Sequence, residues 1–169
     1  MKQSVIIFIL SMLLFSCSKL GDQTGFNREV KQDGSFRYTI QFNDSIAAIL
    51  DFYPTGKIER IANFTENGQR QDIFFHESTG FVLSKLNVDE NNEAEGQANY
   101  YFEKSGNLSS QYSFIQGKKV GEAVSYHDST GRVKTYMLYN NEGQLYYRKS
   151  FDELGNHIKT EGEKDLNSK

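Results

Sequence analysis

Alternation of apolar and polar side chains dominates the chain from residue 36 onward. The segment Phe36–Phe42 reads FRYTIQF and alternates without a fault. This is the pattern of a half-buried strand, in which every second side chain lies on the same face. Few stretches have the spacing of an amphipathic helix. The pattern therefore predicts an all-β body in which helices are not expected.

Glycine punctuates this body at nearly regular intervals. Five glycines are separated by 24, 26, 25 and 24 residues: Gly56, Gly80, Gly106, Gly131 and Gly155. The residues before each of them are typical of a type I turn, and the glycine is predicted to take the positive φ of a three-residue hairpin loop with a bulge. A second turn follows about twelve residues later, and in one repeat Asn92 takes its glycine position. Each repeat is therefore predicted to consist of two strands and two turns.

The strand after each glycine repeats the same columns of residues. Apolar residues stand two, six and eight places past the glycine: Ile58, Ala62 and Phe64; Val82, Leu86 and Val88; Leu108, Tyr112 and Phe114; and Val133, Met137 and Tyr139. The fourth place is polar: Arg60, Ser84, Ser110 and Thr135. Even offsets are predicted to share one face of the strand. Aromatic residues five places before the glycine, Phe75, Tyr101 and Tyr126, are predicted to form cross-strand pairs with apolar residues.

The stretch Tyr100–Lys134 carries this pattern most clearly. It contains Tyr100-Tyr101-Phe102 before Gly106, then Gly117-Lys118-Lys119-Val120-Gly121, then Tyr126 before Gly131-Arg132-Val133-Lys134. This stretch resembles the MORN-type repeat family in its bacterial variant.

The resemblance covers roughly residues 46–159 and implies an elongated, twisted antiparallel meander of repeated β-hairpins, and the domain is predicted over residues 36–162. Its repeats lie near 46–69, 70–95, 96–120, 121–144 and 145–162, and residues 163–169 are predicted to be a polar tail. About ten strands are expected. We expect the sheet to bury one face by curving on itself and to offer the other to solvent or a partner.

The N-terminal residues have the pattern of an export signal. Lys2 precedes the apolar run Val5–Phe15, and the run ends at Leu14-Phe15-Ser16-Cys17. At ~1.5 Å per residue, this run is too short to span a bilayer core of ~30 Å as a helix. The four residues resemble the lipobox of bacterial lipoproteins, although Phe15 is bulkier than that family's usual residue.

The lipobox resemblance implies that residues 1–16 are a cleaved signal peptide and that Cys17 carries the lipid that anchors the chain to a membrane. Residues 17–35 are then the lipidated cysteine and a flexible polar tether. Ser18 is not the acidic residue that signals inner-membrane retention in some lineages, which favours a cell-envelope address at the outer membrane. The alternative is a plain signal peptide with an incidental cysteine.

The charge and the cysteine content of the chain argue against nucleic-acid binding and against cysteine-based sites. The net charge of the chain is −3 and no cluster of Lys and Arg is present, so nucleic-acid binding is not expected. Cys17 is the only cysteine, which excludes a disulfide within the chain and a cysteine metal site.

Neither the histidines nor the acidic stretch indicates a metal site. His76 and His127 lie two repeats apart, or ~19 Å in a sheet, too far to share a zinc ion. The acidic stretch Asp89–Glu95 departs from an EF-type loop because Ala94 and Tyr100 stand where that loop needs Gly and Glu. No nucleophile, phosphate-loop or dinucleotide motif is present. We therefore predict no enzyme activity, no cofactor and no metal.

Two tyrosine doublets are the candidate binding residues: Tyr100 with Tyr101, and Tyr146 with Tyr147. Adjacent residues of a strand point to opposite faces, so at most one tyrosine of each doublet belongs to a core and the other is a candidate for contact with a partner. Packing within the sheet is the alternative role of these tyrosines and the one that the sequence favours. The sequence favours a non-enzymatic, lipid-anchored binding or scaffolding module with a protein partner. Two alternatives stay open: an antitoxin-like or immunity protein against an envelope-acting toxin, suggested by the repeat family, and a module that binds glycan or peptidoglycan.

Overall fold

The computed structural model describes residues 24–43, 45–65 and 69–162. The predicted signal peptide, Cys17, the start of the predicted tether and the predicted tail all lie outside these residues. The strands are β1 (Thr24–Val30), β2 (Phe36–Phe42), β3 (Ser45–Phe52), β4 (Ile58–Phe64), β5 (Arg70–Phe75), β6 (Val82–Val88), β7 (Ala94–Tyr101), β8 (Leu108–Ile115), β9 (Lys118–Tyr126), β10 (Val133–Tyr139), β11 (Leu145–Phe151) and β12 (His157–Gly162). No helix long and apolar enough to cross a membrane occurs among the described residues.

All of these strands form one antiparallel sheet in chain order, from β1 to β12. The predicted all-β meander of hairpins is therefore confirmed, with 12 strands instead of about ten. At ~4.8 Å between neighbouring strands, the sheet is roughly 50 Å long.

The first strand lies inside the segment predicted to be a flexible tether. Residues Thr24–Val30 pair with β2 along their whole length, with Phe26 opposite Ile40 and Val30 opposite Phe36. The connecting turn has Gly34 at φ 84°. The tether prediction is thus wrong for this strand, because an edge strand is held by backbone hydrogen bonds to its neighbour and needs little apolar burial of its own.

The sheet is a single open layer. Substantial contacts join only consecutive strands, so the described sheet does not fold back onto itself. Burial is nevertheless concentrated on one face, as expected, and it comes from side chains of neighbouring strands rather than from closure of the sheet. The face that carries Arg37 and Arg60 holds eight of the ten buried residues in the described strands: Asp51, Ala62, Asp72, Val88, Ala98, Phe114, Ala123 and Met137. Val120 and Leu138 are the two on the opposite face.

The five periodic glycines occupy the predicted left-handed positions, with φ between 67° and 90°. Asn92 in its glycine position has φ 64°. The loops at Gly56 and Gly155 have the predicted three residues.

The loops at Gly80, Gly106 and Gly131 have four residues, which corrects the predicted length. In each, the glycine N–H donates to the carbonyl four residues earlier at 2.8 Å. The first residue of each of these loops is acidic, and two of them, Glu77 and Asp128, accept hydrogen bonds from the preceding repeat.

The predicted columns of apolar residues after each periodic glycine are confirmed in part. Four apolar residues six or eight places past a glycine are buried, with exposures of 8% or less: Ala62, Val88, Phe114 and Met137. The predicted pairs also form, with Phe75 opposite Val82, Tyr101 opposite Leu108, and Tyr126 opposite Val133. Each of these hairpins contains a register shift, and the residue two places past the glycine therefore lies on the opposite face from the residues six and eight places past it. The residues affected are Val82, Leu108 and Val133, so the prediction that all the even positions share one face is wrong for them.

Candidate binding surface

One residue from each strand lies in a single row of direct cross-strand partners that runs the length of the sheet. The row is Glu29, Arg37, Asp51, Arg60, Phe74, Ser84, Tyr100, Ser110, Ser125, Thr135, Ser150 and Lys159. Direct partners share a face, and we name this face the ladder face and the other the reverse face. The polar position four places past the glycine, noted in the sequence, belongs to this row.

The first half of the ladder face is a chain of ion pairs. Asp51 is bound by Arg37 at 2.6 Å and by Arg60 at 2.8 Å, and Asp72 by Arg60 at 3.3 Å and by Arg70 at 2.9 Å. The two aspartates are only 5% and 3% exposed. These arginines and aspartates pair with one another, so their charges are not available to a partner.

Burial and ion pairing shift the pKa of the Asp51 carboxyl in opposite directions. Burial alone would raise the pKa of its carboxyl. The hydrogen bond from Arg37, together with the charge and hydrogen bond of Arg60, outweighs burial and holds this pKa below its ordinary value. Asp51 is therefore ionised at neutral pH and serves to join β2, β3 and β4.

The second half of the ladder face carries a tyrosine cluster. The Tyr112 ring packs edge-to-face against Tyr100 at 5.8 Å and against Tyr139 at 6.4 Å between centroids. Lys119 Nζ lies 3.9 Å from the centre of the Tyr112 ring, which is cation–π distance. Burial raises the pKa of Tyr100 and of Tyr139, so both phenols are neutral hydrogen-bond donors.

Hydroxyl groups line the sheet beside this cluster. Ser110, Ser125, Thr135 and Ser150 are direct partners on successive strands β8–β11. Within the described part of the chain, their side-chain oxygens have no protein hydrogen-bond partner. They border an open groove of about 450 Å³ that Arg148 also lines. We name the tyrosine cluster, Lys119, these four hydroxyls and Arg148 the central surface.

The central surface carries two cations, Lys119 and Arg148, although the whole chain is acidic. Strands β6–β11 contain two carboxylates, Glu95 and Glu122. Both are on the reverse face, because Glu95 is the partner of Asn87 and Glu122 the partner of Leu138. The ladder face of these strands therefore presents Lys119 and Arg148 with no acidic side chain among them, and the nearest carboxylate is Glu161 of β12, 3.5 Å from Arg148.

The predicted tyrosine doublets are not brought together. They lie on β7 and β11, four strands or ~19 Å apart, and all four tyrosines are half-buried. Tyr100 belongs to the central surface, whereas Tyr101 lies opposite Leu108. Tyr147 packs against Tyr136 of the reverse face at 6.3 Å, and Tyr146 lines a small groove beside Gly162.

Sequence reasoning missed Tyr112, Tyr139, Lys119 and Arg148 as members of a surface. Tyr112 and Tyr139 stand in the apolar column, where a tyrosine is easily taken as core. The signal that could have found the surface is the run of Ser and Thr in the polar column, which borders these tyrosines once the strands are set in register.

The periodic turns form one long edge of the sheet and are tied to each other. Thr55 Oγ1 donates to Glu77 Oε1 at 2.8 Å, and Asn107 Nδ2 donates to the Asp128 carbonyl at 3.2 Å. An open depression of about 580 Å³ lies at this edge near Asn107 and Asp128. Because the polar groups of these turns hydrogen-bond to one another across the repeats, we infer that the row of turns stabilises the sheet.

The histidines each have a separate local partner. His76 pairs with Glu103, His127 Nε2 lies 3.0 Å from the Phe151 carbonyl, and His157 Nε2 lies 2.8 Å from Thr160 Oγ1. Among the residues that the structure describes, no three His, Cys, Asp or Glu side chains are grouped as metal ligands.

No family model matches the chain, and no curated protein matches it. Two crystal structures of TarM show a distant likeness. The S. aureus protein in complex with fondaparinux, α-GlcNAc-glycerol and UDP has 11% identity and a TM-score of 0.29, and the other has 10% and 0.31. In both cases the likeness covers 89% of this chain but only 23% of the TarM chain. A likeness of this size carries no information on function.

Proposed function

We propose that the protein is a non-enzymatic binding module whose central surface recognises a protein partner, and that a lipid on Cys17 anchors it in the cell envelope. The observation that carries the binding proposal is the row of four unpartnered hydroxyls beside the tyrosine cluster. These side chains are half-buried beside an open groove, and no hydrogen bond within the described chain uses their oxygens.

The residue types of the central surface suit contact with a protein. Tyrosine supplies rigid apolar area with a polar tip, and serine supplies adaptable hydrogen bonds. Five strands at ~4.8 Å, each about seven residues long, present roughly 550 Å² of sheet plane, which approaches the ~800 Å² per partner of a standard interface. Lys119, which forms no ion pair among the described residues, favours a partner segment that carries carboxylates, whereas Arg148 already pairs with Glu161.

Site-specific photocrosslinking in intact cells tests the binding proposal. Ser110 and Ser113 are both half-buried residues of β8. They point to opposite faces, because Ser110 pairs with Tyr100 and Ser113 with Gln97. A crosslinker at position 110 is expected to capture a defined protein that the same crosslinker at position 113 does not. Equal capture at both positions, or capture of glycan alone at position 110, would contradict a protein-binding central surface.

The anchor is tested separately. Cys17 is the only cysteine of the chain and directly follows the apolar run, which is the support for lipidation. Metabolic labelling with a fatty acid is expected to mark the protein, and the Cys17→Ala variant is expected to lose the label. A label that survives in this variant would place the lipid elsewhere, and a wild-type protein without label would refute the anchor.

A further inference from the structure

The reverse face of β1 and β2 is a continuous apolar patch at one end of the sheet. It consists of Phe26, Val30, Phe36, Tyr38, Ile40 and Phe42, which are direct partners or neighbours across the two strands. Phe26, Val30 and Phe42 are 67%, 59% and 43% exposed. Strand β3 continues the patch with Leu50 opposite Tyr38 and Phe52 opposite Phe36.

The same strands are polar on their other side. Their ladder face carries Asn27, Glu29, Arg37 and Asp51, and Arg37 and Asp51 are joined as an ion pair. On β1 and β2 the apolar side chains are therefore confined to the reverse face, whereas β3 also places Ile46 and Ile49 on the ladder face. Exposed apolar area that is contiguous and one-sided marks a contact surface rather than ordinary surface scatter.

Arg28 is the only charged side chain of the patch. Its guanidinium lies 5.0 Å from the centre of the Phe36 ring and 5.9 Å from that of Tyr38. The Phe36 ring also stacks on Phe52 at 4.7 Å. Aromatic rings with a cation among them and no carboxylate are the composition of surfaces that lie in the headgroup region of a bilayer, where the cation meets lipid phosphate.

The position of the patch along the chain brings it close to the predicted anchor. Strand β1 begins at Thr24, seven residues after Cys17. Even a fully extended connection of that length spans at most ~24 Å. The structure removes most of the long tether that the sequence suggested, so a lipid on Cys17 would hold the patch near the membrane surface.

We propose that the apolar patch on the reverse face of β1 and β2 is a second membrane contact that lays this end of the sheet on a phospholipid surface. The inference rests on the Cys17 anchor of the proposed function for its placement. With the reverse face of these strands on the membrane, their ladder face is directed away from the lipid. The central surface belongs to the same face of the sheet.

Lipid-quenching fluorescence tests the proposal on the full chain. The protein is purified in detergent, labelled with a polarity-sensitive dye at one introduced cysteine, and mixed with vesicles of phosphatidylethanolamine and phosphatidylglycerol that contain a nitroxide-labelled lipid. Wild-type protein treated in parallel measures the signal of dye on the native Cys17, which is subtracted. The test variants are Phe26→Cys and Val30→Cys. The matched controls are Asn27→Cys on the ladder face of the same strand, and Leu154→Cys and Ile158→Cys, whose native side chains are 75% and 64% exposed at the far end of the sheet.

Interfacial elements bury their apolar side ~5–10 Å deep, so quenching at positions 26 and 30 is expected to exceed that at positions 27, 154 and 158 by about threefold or more. Equal quenching at positions 26 and 27 would overturn the proposal, as would none at position 26. A photocrosslinker at position 26 provides a further test. Crosslinking to a second copy of the chain, or to residues 5–15 of the same chain, without lipid quenching would also overturn the proposal.

Mass spectrometry of the same preparation separates this proposal from the anchor. Quenching at positions 26 and 30 in a chain without acyl groups would refute the anchor and support the patch. An acylated chain without quenching would support the anchor and refute the patch.

Discussion

Replacing a single turn glycine by alanine measures what the left-handed corner contributes to stability. Gly131 has φ 67°, and a Cβ added there would meet no atom within 4 Å. The cost of Gly131→Ala is therefore a backbone cost alone. A left-handed conformation costs a non-glycine residue roughly 1–2 kcal/mol, and the stiffer unfolded chain returns ~0.4–1 kcal/mol. The expected net loss in free energy of unfolding is about 1 kcal/mol.

Gly106 adds a packing cost to the same backbone cost. It has φ 75°, and a Cβ there would lie 3.3 Å from Cγ and 3.5 Å from both Cδ atoms of Phe81 in the preceding repeat. Moving a packed ring typically costs ~1 kcal/mol or more. Gly106→Ala is therefore expected to lose about 2 kcal/mol, roughly twice the loss at Gly131.

Urea unfolding followed by tyrosine fluorescence checks these values, since the chain has 10 Tyr and no Trp. Gly25→Ala is the matched control, because Gly25 is not at positive φ and its Cβ would meet only the Gln41 side chain, 3.2 Å from Oε1 and 3.7 Å from Cβ. Gly131→Asn is expected to lose less than Gly131→Ala, since asparagine tolerates this conformation and Asn92 adopts it at φ 64°. Losses at Gly131 and Gly106 no larger than that of the control would refute the assignment of these glycines to left-handed corners.

Three further measurements test the electrostatics. Asp51→Ala breaks two buried ion pairs and is expected to lose about 3 kcal/mol in urea unfolding, whereas Arg148→Ala, whose pair is more than 40% exposed on both sides, is expected to lose less than ~1 kcal/mol. Because the pKa of Asp51 is lowered by folding, its stabilisation is present above the unfolded pKa of about 4 and is lost as pH falls through the folded value. The wild type should therefore lose more stability between pH 7 and pH 3 than Asp51→Asn does, and equal losses would contradict the ion pairs. Burial and the hydrogen bond to Glu122 raise the pKa of Tyr136 to about 12, so ultraviolet titration should show one tyrosine near that value, shifted down in Glu122→Gln; an unchanged titration would contradict the contact.

The hairpin architecture could be predicted because its causes are local. A left-handed corner requires glycine or asparagine wherever it occurs, and alternation fixes which side chains share a face. The glycine period and the alternating strands therefore predicted the meander. Loop lengths were less predictable, because Glu77 and Asp128 are held in their loops by the neighbouring repeat, a contact between residues more than twenty positions apart.

Strand β1 and the single layer escaped the sequence for a shared physical reason. Periodicity reports burial, and β1 is an edge strand whose side chains, including Phe26 and Val30, are largely exposed. Its Asp33-Gly34 turn was a usable signal. Whether a sheet curves onto itself depends on accumulated twist, which alternation within one strand does not specify.

The candidate surface depends on register more than on residue type. Serine and threonine in the fourth column are ordinary turn-flanking residues when each repeat is viewed alone. Register places Ser110, Ser125, Thr135 and Ser150 side by side, while the bulges displace Leu108 and Val133 from that face.

The glycine corners set this register, since each one fixes where its two strands meet. A one-residue slip at a corner would turn the hydroxyls of the following strand to the reverse face. The periodic glycines therefore shape the proposed binding surface without being part of it. A Gly106 variant that folds with the register of β8 shifted is expected to lose crosslinking at position 110 and gain it at position 113, whereas one that only loses stability would keep the original preference.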